Sequence, residues 1–458
     1  MTLTHYDAVV IGAGQAGGPL STALARAGHR SALIEREHIG GTCINEGCTP
    51  TKTMVASARV AYLARRGADY GVHTGPIEID MTRVRQRKRD IVDLFRSGSE
   101  KQITSTPGLD LLRGEARFVG PKTLAVGADQ FTAERIFINT GCRPSQPPIP
   151  GLDSVPTLNS TSIMELDAVP EHLLVLGGGY VGLEFGQMFS RFGSQVTIVQ
   201  RGPRLLARED ADVADAVADI LRQDGLKVLL DTDAVRVEPA LDGRIRLVVR
   251  AQAGETTLEG SHLLVAVGRT PNTQMLNLEA TGLETDSHGF LPANGRLETA
   301  VPGIYALGDV KGGPAFTHIS YDDYRIIKTD LIEGGARVVD DRPVPYTVYI
   351  DPQLGRIGVS EDQARASGRA YHVAKMRMSH VARALEVDET RGFLKVIVDA
   401  QTQQILGAAT LGIEGGELMS MLEIAMLGKL PYTVLRDAIF AHPTLAEGFN
   451  NLFATLSA

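Results

Sequence analysis

Asp7-Ala8-Val9-Val10-Ile11-Gly12-Ala13-Gly14-Gln15-Ala16-Gly17 runs a short β-branched segment straight into Gly-x-Gly-x-x-Gly. The apolar run reads as a buried strand, and each glycine has a job. The first permits the turn, the second lets backbone approach a pyrophosphate, and the third lets the next helix pack on the strand, leaving phosphates at a helix N-terminus. One such match is weak, because glycines are common in tight turns. Here it recurs as His172-Leu173-Leu174-Val175-Leu176-Gly177-Gly178-Gly179-Tyr180-Val181-Gly182. Each copy is followed by a helical pattern (21–27 and 184–192), a glycine (Gly28, Gly193) and a second strand (31–34 and 195–199). Strand, helix, strand, twice over, predicts an α/β chain with two Rossmann-like dinucleotide-binding domains.

The rest of the chain agrees with that frame. At roughly 100–200 residues per domain, 458 residues predict about three domains. Lys and Arg total 46 against 54 Asp and Glu, a net charge of −8, so no basic field draws a polyanion and nucleic acid is not expected as a partner. Three cysteines are too few for an extracellular disulfide framework and fit a reducing cytosol. No stretch reaches the roughly 18 apolar residues of a membrane span. The first 20 residues lack the basic segment and small-residue cleavage site of a secretory signal, so the expected location is cytoplasmic, with no membrane partner. Pro144, Pro147, Pro148, Pro150 and Gly151 mark a domain boundary; others are expected near Gly268-Arg269-Thr270-Pro271 and Asp340-Asp341-Arg342-Pro343. Beyond Pro343, a strand-like run (393–398) and an apolar helical pattern (417–427) predict an α+β domain.

The acidic residue expected after the first copy is Glu35, 18 residues beyond Gly17, placed to accept hydrogen bonds from a ribose diol. Its alternative is a solvated charge at a strand end. In the second copy the strand ends in Val199-Gln200-Arg201, with Arg204 close behind. A carboxylate would repel a 2′-phosphate and Arg attracts one, which favours NADPH over NADH; Gln200 can still bond a ribose hydroxyl. Arg201 and Arg204 could equally be ordinary surface charges. Two dinucleotide sites in one chain suggest electron transfer between dinucleotides. Gly41-Thr42-Cys43-Ile44-Asn45-Glu46-Gly47-Cys48-Thr49-Pro50-Thr51-Lys52 then sets two cysteines five apart just ahead of a helical run (54–66). One distorted turn brings them within disulfide reach, and a helix N-terminus lowers thiol pKa, so the pair is poised for exchange. Two buried structural cysteines or a metal pair are the alternatives, although no nearby Cys or His cluster completes a zinc site. Cys142, alone in Thr140-Gly141-Cys142-Arg143-Pro144, reads as packing.

With these elements in this order, the chain resembles the FAD-dependent pyridine nucleotide-disulfide oxidoreductases: dihydrolipoamide dehydrogenase, glutathione reductase and mercuric reductase. The resemblance spans essentially the whole sequence and adds Val267-Gly268-Arg269, Ile304-Tyr305-Ala306-Leu307-Gly308-Asp309 and His442-Pro443-Thr444-x-x-Glu447 to the motifs above. It implies an FAD-binding domain over 1–150, an NAD(P)-binding domain over 151–270, a returning FAD segment over 271–340 and a dimerisation domain over 341–458. For FAD it implies Gly12, Gly14, Gly17, Glu35, Thr42, Lys52, Ala116, Thr140, Gly141, Gly308 and Asp309. For the nicotinamide coenzyme it implies Gly177, Gly179, Tyr180, Gly182, Gln200, Arg201 and Gly268. It makes Cys48 the thiol beside the flavin and Cys43 the thiol that attacks substrate, with Lys52 and Glu184 an ion pair near flavin N5. Tyr180 would be an aromatic gate over the flavin, or a plain packing residue; Lys52 and Glu184 could be exposed helix charges. His442, oriented by Glu447, would be an acid/base donated by the partner of a homodimer, while Thr444-Leu445-Ala446-Glu447 read alone is a helix capping box. No resident metal is implied.

Within the family, the closest resemblance is to the mercuric-reductase-like branch that includes the bacterial reactive-chlorine-resistance oxidoreductase. It rests on Pro314-Ala315-Phe316-Thr317-His318-Ile319-Ser320-Tyr321-Asp322-Asp323-Tyr324-Arg325, Asp388-Glu389-Thr390-Arg391-Gly392 and Leu430-Pro431-Tyr432-Thr433-Val434-Leu435-Arg436-Asp437. Mercuric reductases carry a vicinal cysteine pair near the C-terminus; here no Cys follows Cys142. Soft Hg²⁺ needs several thiolates, so efficient mercuric reduction is not expected. The expected activity is NAD(P)H-dependent reduction, through FAD and the Cys43–Cys48 disulfide, of a small thiol-reactive oxidant, disulfide or metal ion. A dihydrolipoamide dehydrogenase or mercuric reductase activity, a flavin-bound redox sensor without turnover, and a diaphorase or transhydrogenase that ignores the thiols are the alternatives.

Overall fold

The structure, a computed structural model, describes residues 3–456. Ala8, Val9, Val10 and Ile11 are all buried, and alternate members face opposite sides of a sheet. Val9 and Ile11 pack with Ile34, Phe118, Ile136 and Ile138, whereas Ala8 and Val10 pack with Leu20, Leu24, Leu33 and Phe137. A strand covered on both faces has to be apolar at every position, which is why the opening run does not alternate.

The chain packs as two compact units. The first combines residues 3–54, 82–145 and 268–342. Its seven-stranded sheet runs Leu109–Arg113, Ser31–Glu35, Thr4–Ile11, Asp129–Ile138, Thr123–Val126, Ala116–Gly120, with Ile304–Ala306 also pairing with Asp129–Ile138. Thr4–Ile11 pairs in parallel with both neighbours, so its C-terminal end and the Gly12 turn emerge where the parallel strands end. The helix Gly17–Arg26 begins four residues before the apolar periodicity predicts, at the third glycine. A Cβ on Gly17 would lie 2.0 Å from the Gly12 carbonyl oxygen, so only glycine lets the helix start this close to the strand.

The second unit combines residues 55–81, 146–267 and the chain from Pro343 onward. It repeats the motif in a parallel sheet of order Lys227–Leu229, Gln195–Val199, His172–Leu176, His262–Val265. The helix Tyr180–Phe192 follows the second glycine loop, and a Cβ on Gly182 would meet the Gly177 oxygen at 2.1 Å. A three-stranded antiparallel meander and a five-stranded antiparallel sheet complete the unit, the latter covered by the helix Gly415–Leu427.

Polar groups bind the pieces of this second unit. Glu184, Gln187 and Arg191 recur on one face of the helix Tyr180–Phe192. Glu184 Oε1 accepts the Tyr349 N–H (2.9 Å), Gln187 bonds both the N–H and the C=O of Asp351 (2.7 and 2.9 Å), and Arg191 pairs with the Asp351 carboxylate. Arg59 reaches the same carboxylate, and Tyr62 lies under the Arg191 guanidinium, 3.9 Å from ring centroid to carbon. Asp224, joined to Arg191 and Arg391, extends the cluster.

Candidate active site

In the first unit the glycine loop is held from below by two side chains. Glu35 ends the strand Ser31–Glu35, is buried, and accepts the N–H groups of Ala13 and Glu37 (2.8 Å each). A solvated strand-end charge is therefore excluded; the carboxylate keeps lone pairs for a further donor. Asn139 has no role in the motif reading, yet its side chain donates to the Gly12 carbonyl (3.1 Å) and stands against Gly14, Gly17 and Gly308. Its only sequence signal is its place between a strand and Thr140-Gly141. Asn272, equally unremarked, clamps that element from the other side, with Nδ2 to Thr140 O and its N–H to Gly141 O (2.9 Å each).

Three observations show that this surface fits a large oxygen-rich dinucleotide. The Thr140 hydroxyl oxygen is buried with no hydrogen-bond partner among the described residues. The helix Gly17–Arg26 has no side-chain cap, so no side chain screens the positive end of its dipole from an anion. Burial pushes the Asp309 carboxyl above its ordinary range despite the pull of Arg269 and Lys311, and a polyol hydroxyl would give it a hydrogen-bond partner. The Gly308-Asp309 turn is itself fixed by the fully buried Asp323, whose Oδ2 accepts the Gly308 N–H (2.7 Å) while Lys311 and Arg342 balance its charge. Ala116 lies buried at the start of the strand Ala116–Gly120, and Thr42 is exposed in the helix Gly41–Asn45.

The second glycine loop uses the same support with one substitution. Gln200 Oε1 accepts the Gly178 N–H (2.9 Å), the bond that Glu35 makes to Ala13. An amide thus replaces the carboxylate without loss of the loop bond, and the site sheds a negative charge. A Cβ on Gly179 would meet nothing within 4 Å, and the helix Tyr180–Phe192 has no side-chain cap, so a phosphate has both room and donors there. Arg201 is exposed, and Tyr180 heads the helix, 37 % exposed. Gly268, with φ +128°, accepts the Ser145 N–H (3.0 Å) in the first unit.

The two cysteines lie closer to helix than the sequence pattern predicts. Cys43 is within the short helix Gly41–Asn45, and Cys48 is the first residue of Cys48–Arg65, which starts six residues early. Pro50 allows this, because a proline in the first turn removes an N–H that has no intrahelical acceptor. Cys48 is exposed and Cys43 half-buried, and they hydrogen-bond each other. The expectation of a lowered thiol pKa fails for Cys43: its hydrogen bond to Cys48, then burial, then the charge of Cys48 push it up, against Thr317 and Lys52. Two adjacent thiols ionise in sequence, and the second holds its proton because the first has lost one. Lys52 stands one helical turn after Cys48. Thr317, whose Oγ1 lies 3.3 Å from Cys48 Sγ, is a contact the motif reading missed.

Among the remaining candidates, Glu184 is buried and bonded to the Tyr349 N–H, so it is not an exposed helix charge. The capping-box reading of Glu447 is overturned. Thr444 Oγ1 does accept the Glu447 N–H (3.3 Å), but the helix begins at Gly448, and the Glu447 carboxylate bonds His442 Nδ1 at 2.9 and 3.2 Å. That bond sets the imidazole's orientation and leaves Nε2 outward on a side chain 73 % exposed. Cys142 is buried, its thiol pushed up to about 12 first by burial, in keeping with a packing role. His5, Asp7 and Glu134 bring ligand atoms within 4.8 Å of one another, but His5 contacts Thr132 and Asp7 accepts the Arg30 N–H.

Comparison with known proteins adds the following. Residues 6–323 match the family model described as pyridine nucleotide-disulphide oxidoreductase, and residues 344–453 match the dimerisation domain of the same name. The chain is 40 % identical over 460 residues to a probable pyridine nucleotide-disulfide oxidoreductase, RclA, of Escherichia coli (strain K12), covering 99 % of each chain. It is 34 % identical over 444 residues to a mercuric reductase of Bacillus cereus, covering 97 % of this chain and 70 % of that one. Among solved structures it superposes with a TM-score of 0.89 on the Cu(II) complex of the HOCl-induced flavoprotein disulfide reductase RclA from Escherichia coli, at 39 % identity, covering 98 % of this chain and 99 % of that one.

Proposed function

The chain belongs to the pyridine nucleotide-disulphide oxidoreductases, FAD-dependent enzymes that use NAD(P)H, and on that premise we propose that Cys43 and Cys48 are its redox pair, reducing a small thiol-reactive oxidant, disulfide or metal ion. The observation that carries this reading is the contact of the two thiols at a helix start, with the Lys52 charge one turn on. Glu35, Thr140 and Asp309 would hold FAD on the first glycine loop, where it would supply the two-electron link between NAD(P)H and the disulfide. In the reduced pair Cys48, at the head of its helix, carries the negative charge that the helix N-terminus and Lys52 favour, and Cys43 keeps the proton. Cys43 then attacks the acceptor once that proton leaves its Sγ. His442, aligned by Glu447, takes that proton.

A second copy of this chain is the source of His442 in this reading. Two features support it: the matched dimerisation domain, and an apolar strip of exposed side chains on and after the helix Gly415–Leu427, among them Ile424 (68 %) and Leu427 (59 %). His442→Gln should lower kcat by about 100-fold or more, the usual contribution of a positioned acid/base. Mixed dimers of a Cys43→Ser chain with a His442→Gln chain should regain activity that neither homodimer has, because one of their two sites would then be intact. Mixed dimers without activity would place both groups of a site in one chain.

NADPH is the preferred coenzyme in this reading, on the strength of Arg201 and of Gln200 in place of a carboxylate. Arg201→Ala should lower kcat/KM for NADPH by about tenfold, the scale of one charge-assisted hydrogen bond, and leave NADH unchanged. An equal loss with both coenzymes refutes the assignment. The acceptor is identified by comparing kcat/KM for lipoamide, glutathione disulfide, hypothiocyanite, Cu²⁺ and Hg²⁺ with each coenzyme. Cu²⁺ merits inclusion because a similar protein is known as a Cu(II) complex.

A further inference from the structure

We propose that the Thr317 hydroxyl is a catalytic hydrogen-bond donor to the redox sulfurs, stabilising the thiolate form of Cys48 in the reduced enzyme. The proposal rests on the reading of Cys43 and Cys48 as the redox pair. Thr317 is the first residue of the helix Thr317–Leu331, and its Oγ1 meets Cys48 Sγ at 3.3 Å. Cys48 is likewise the first residue of its own helix, so two helix N-termini converge on one sulfur. A thiolate has no proton to give, so in that state the hydroxyl is the donor and the sulfur the acceptor.

Three features hold the hydroxyl in place. Phe316 and His318, flanking Thr317, stack on each other with ring planes 9° apart, which fixes the backbone at the helix start. One helical turn on, Ser320 packs against the Gly308-Asp309 turn; a Cβ on Gly308 would meet its Oγ at 2.8 Å. Three residues further, Asp323 bonds the Gly308 N–H (2.7 Å). One face of this helix therefore touches the redox sulfur at its start and the dinucleotide turn further along, and the distance between the two is built into the helix. The hydroxyl also pulls down the Cys43 thiol, against the larger effects of Cys48 and burial, so it serves whichever sulfur bears charge.

The test measures Cys48 alone, in FAD-bound Cys43→Ser protein, as the rate of alkylation by iodoacetamide against pH. Cys142 does not interfere, since it is buried and its thiol is held at about 12. Adding Thr317→Val should raise the pH midpoint by about one unit, a tenfold loss of acidity for one lost hydrogen bond to a charged group. Thr317→Ser, which keeps the hydroxyl, should titrate as the parent does. If the valine variant does not fold, Thr317→Ala gives the same comparison. An unshifted midpoint in the valine or alanine variant overturns the proposal, and so does a serine variant shifted as far as either. Failure of the underlying function is seen separately: turnover that survives Cys43→Ser refutes the redox-pair reading whatever the midpoint does.

Discussion

Cys43→Ser should lower reduction of every acceptor by at least about 1,000-fold, and Cys48→Ser and the double variant should fall to the same level. Groups that act as one unit are not additive: once either is lost, the other has nothing left to do. The contact between the thiols supports such a unit, because the proton on Cys43 is held by Cys48. Oxidation of NAD(P)H by ferricyanide, which can take electrons ahead of the thiols, should persist in all three variants. That contrast separates three classes of function. Parental turnover of every acceptor in the double variant identifies a diaphorase or transhydrogenase. Thiols that cycle between oxidation states without steady-state turnover of any acceptor identify a sensor. Loss of acceptor reduction with ferricyanide activity retained identifies the disulfide relay.

Asp351→Ala should destabilise the second unit by about 3–5 kcal/mol, the cost of removing one partner of a buried ion pair. At roughly 2–4 °C per kcal/mol that is a fall of about 6–20 °C in melting temperature. Asp351 is 6 % exposed and joined to Arg59 and Arg191, so its removal strands the buried Arg191 between Tyr62 and Asp224. The effect has a pH signature. Burial alone would raise the Asp351 carboxyl, but Arg191 and Arg59 more than offset it and hold it below the ordinary aspartate range. A depressed carboxyl contributes stability above its unfolded pKa and loses it as pH falls through the folded one. The gap between parent and Asp351→Ala should therefore be full at neutral pH and shrink in acid below the usual aspartate range. A gap that stays constant into acid would mean that packing, and not charge, is what the substitution removes.

The site divides by how its residues are encoded. Gly12, Gly17, Gly177 and Gly182 were legible because each answers a local steric demand: a turn, or a helix start so close to a strand that a Cβ would sit 2.0–2.1 Å from a carbonyl oxygen. Cys43 and Cys48 were legible because their spacing is local. Asn139, Asn272 and Thr317 were not, since each acts on a segment far away in sequence and carries no pattern of its own. Glu447 was ambiguous for a different reason, because two local partners compete for it. Its spacing from Thr444 satisfies a capping box, and only the path of the chain through His442 decides that its carboxylate goes to the imidazole.

By itself, the sequence determined the α/β class, the two strand–glycine loop–helix elements, the family and the closeness of Cys43 to Cys48, because each is carried by short local patterns, where sterics and hydrophobic period act directly. Tertiary structure alone decided that Gln200 does the loop-holding work of Glu35, that Cys43 is held protonated by its neighbour, and that Asp351 anchors Arg59 and Arg191. Each of those depends on burial and on which polar groups the fold brings into contact, and the energy of a buried polar or charged group is set by its surroundings in space, which no local pattern records.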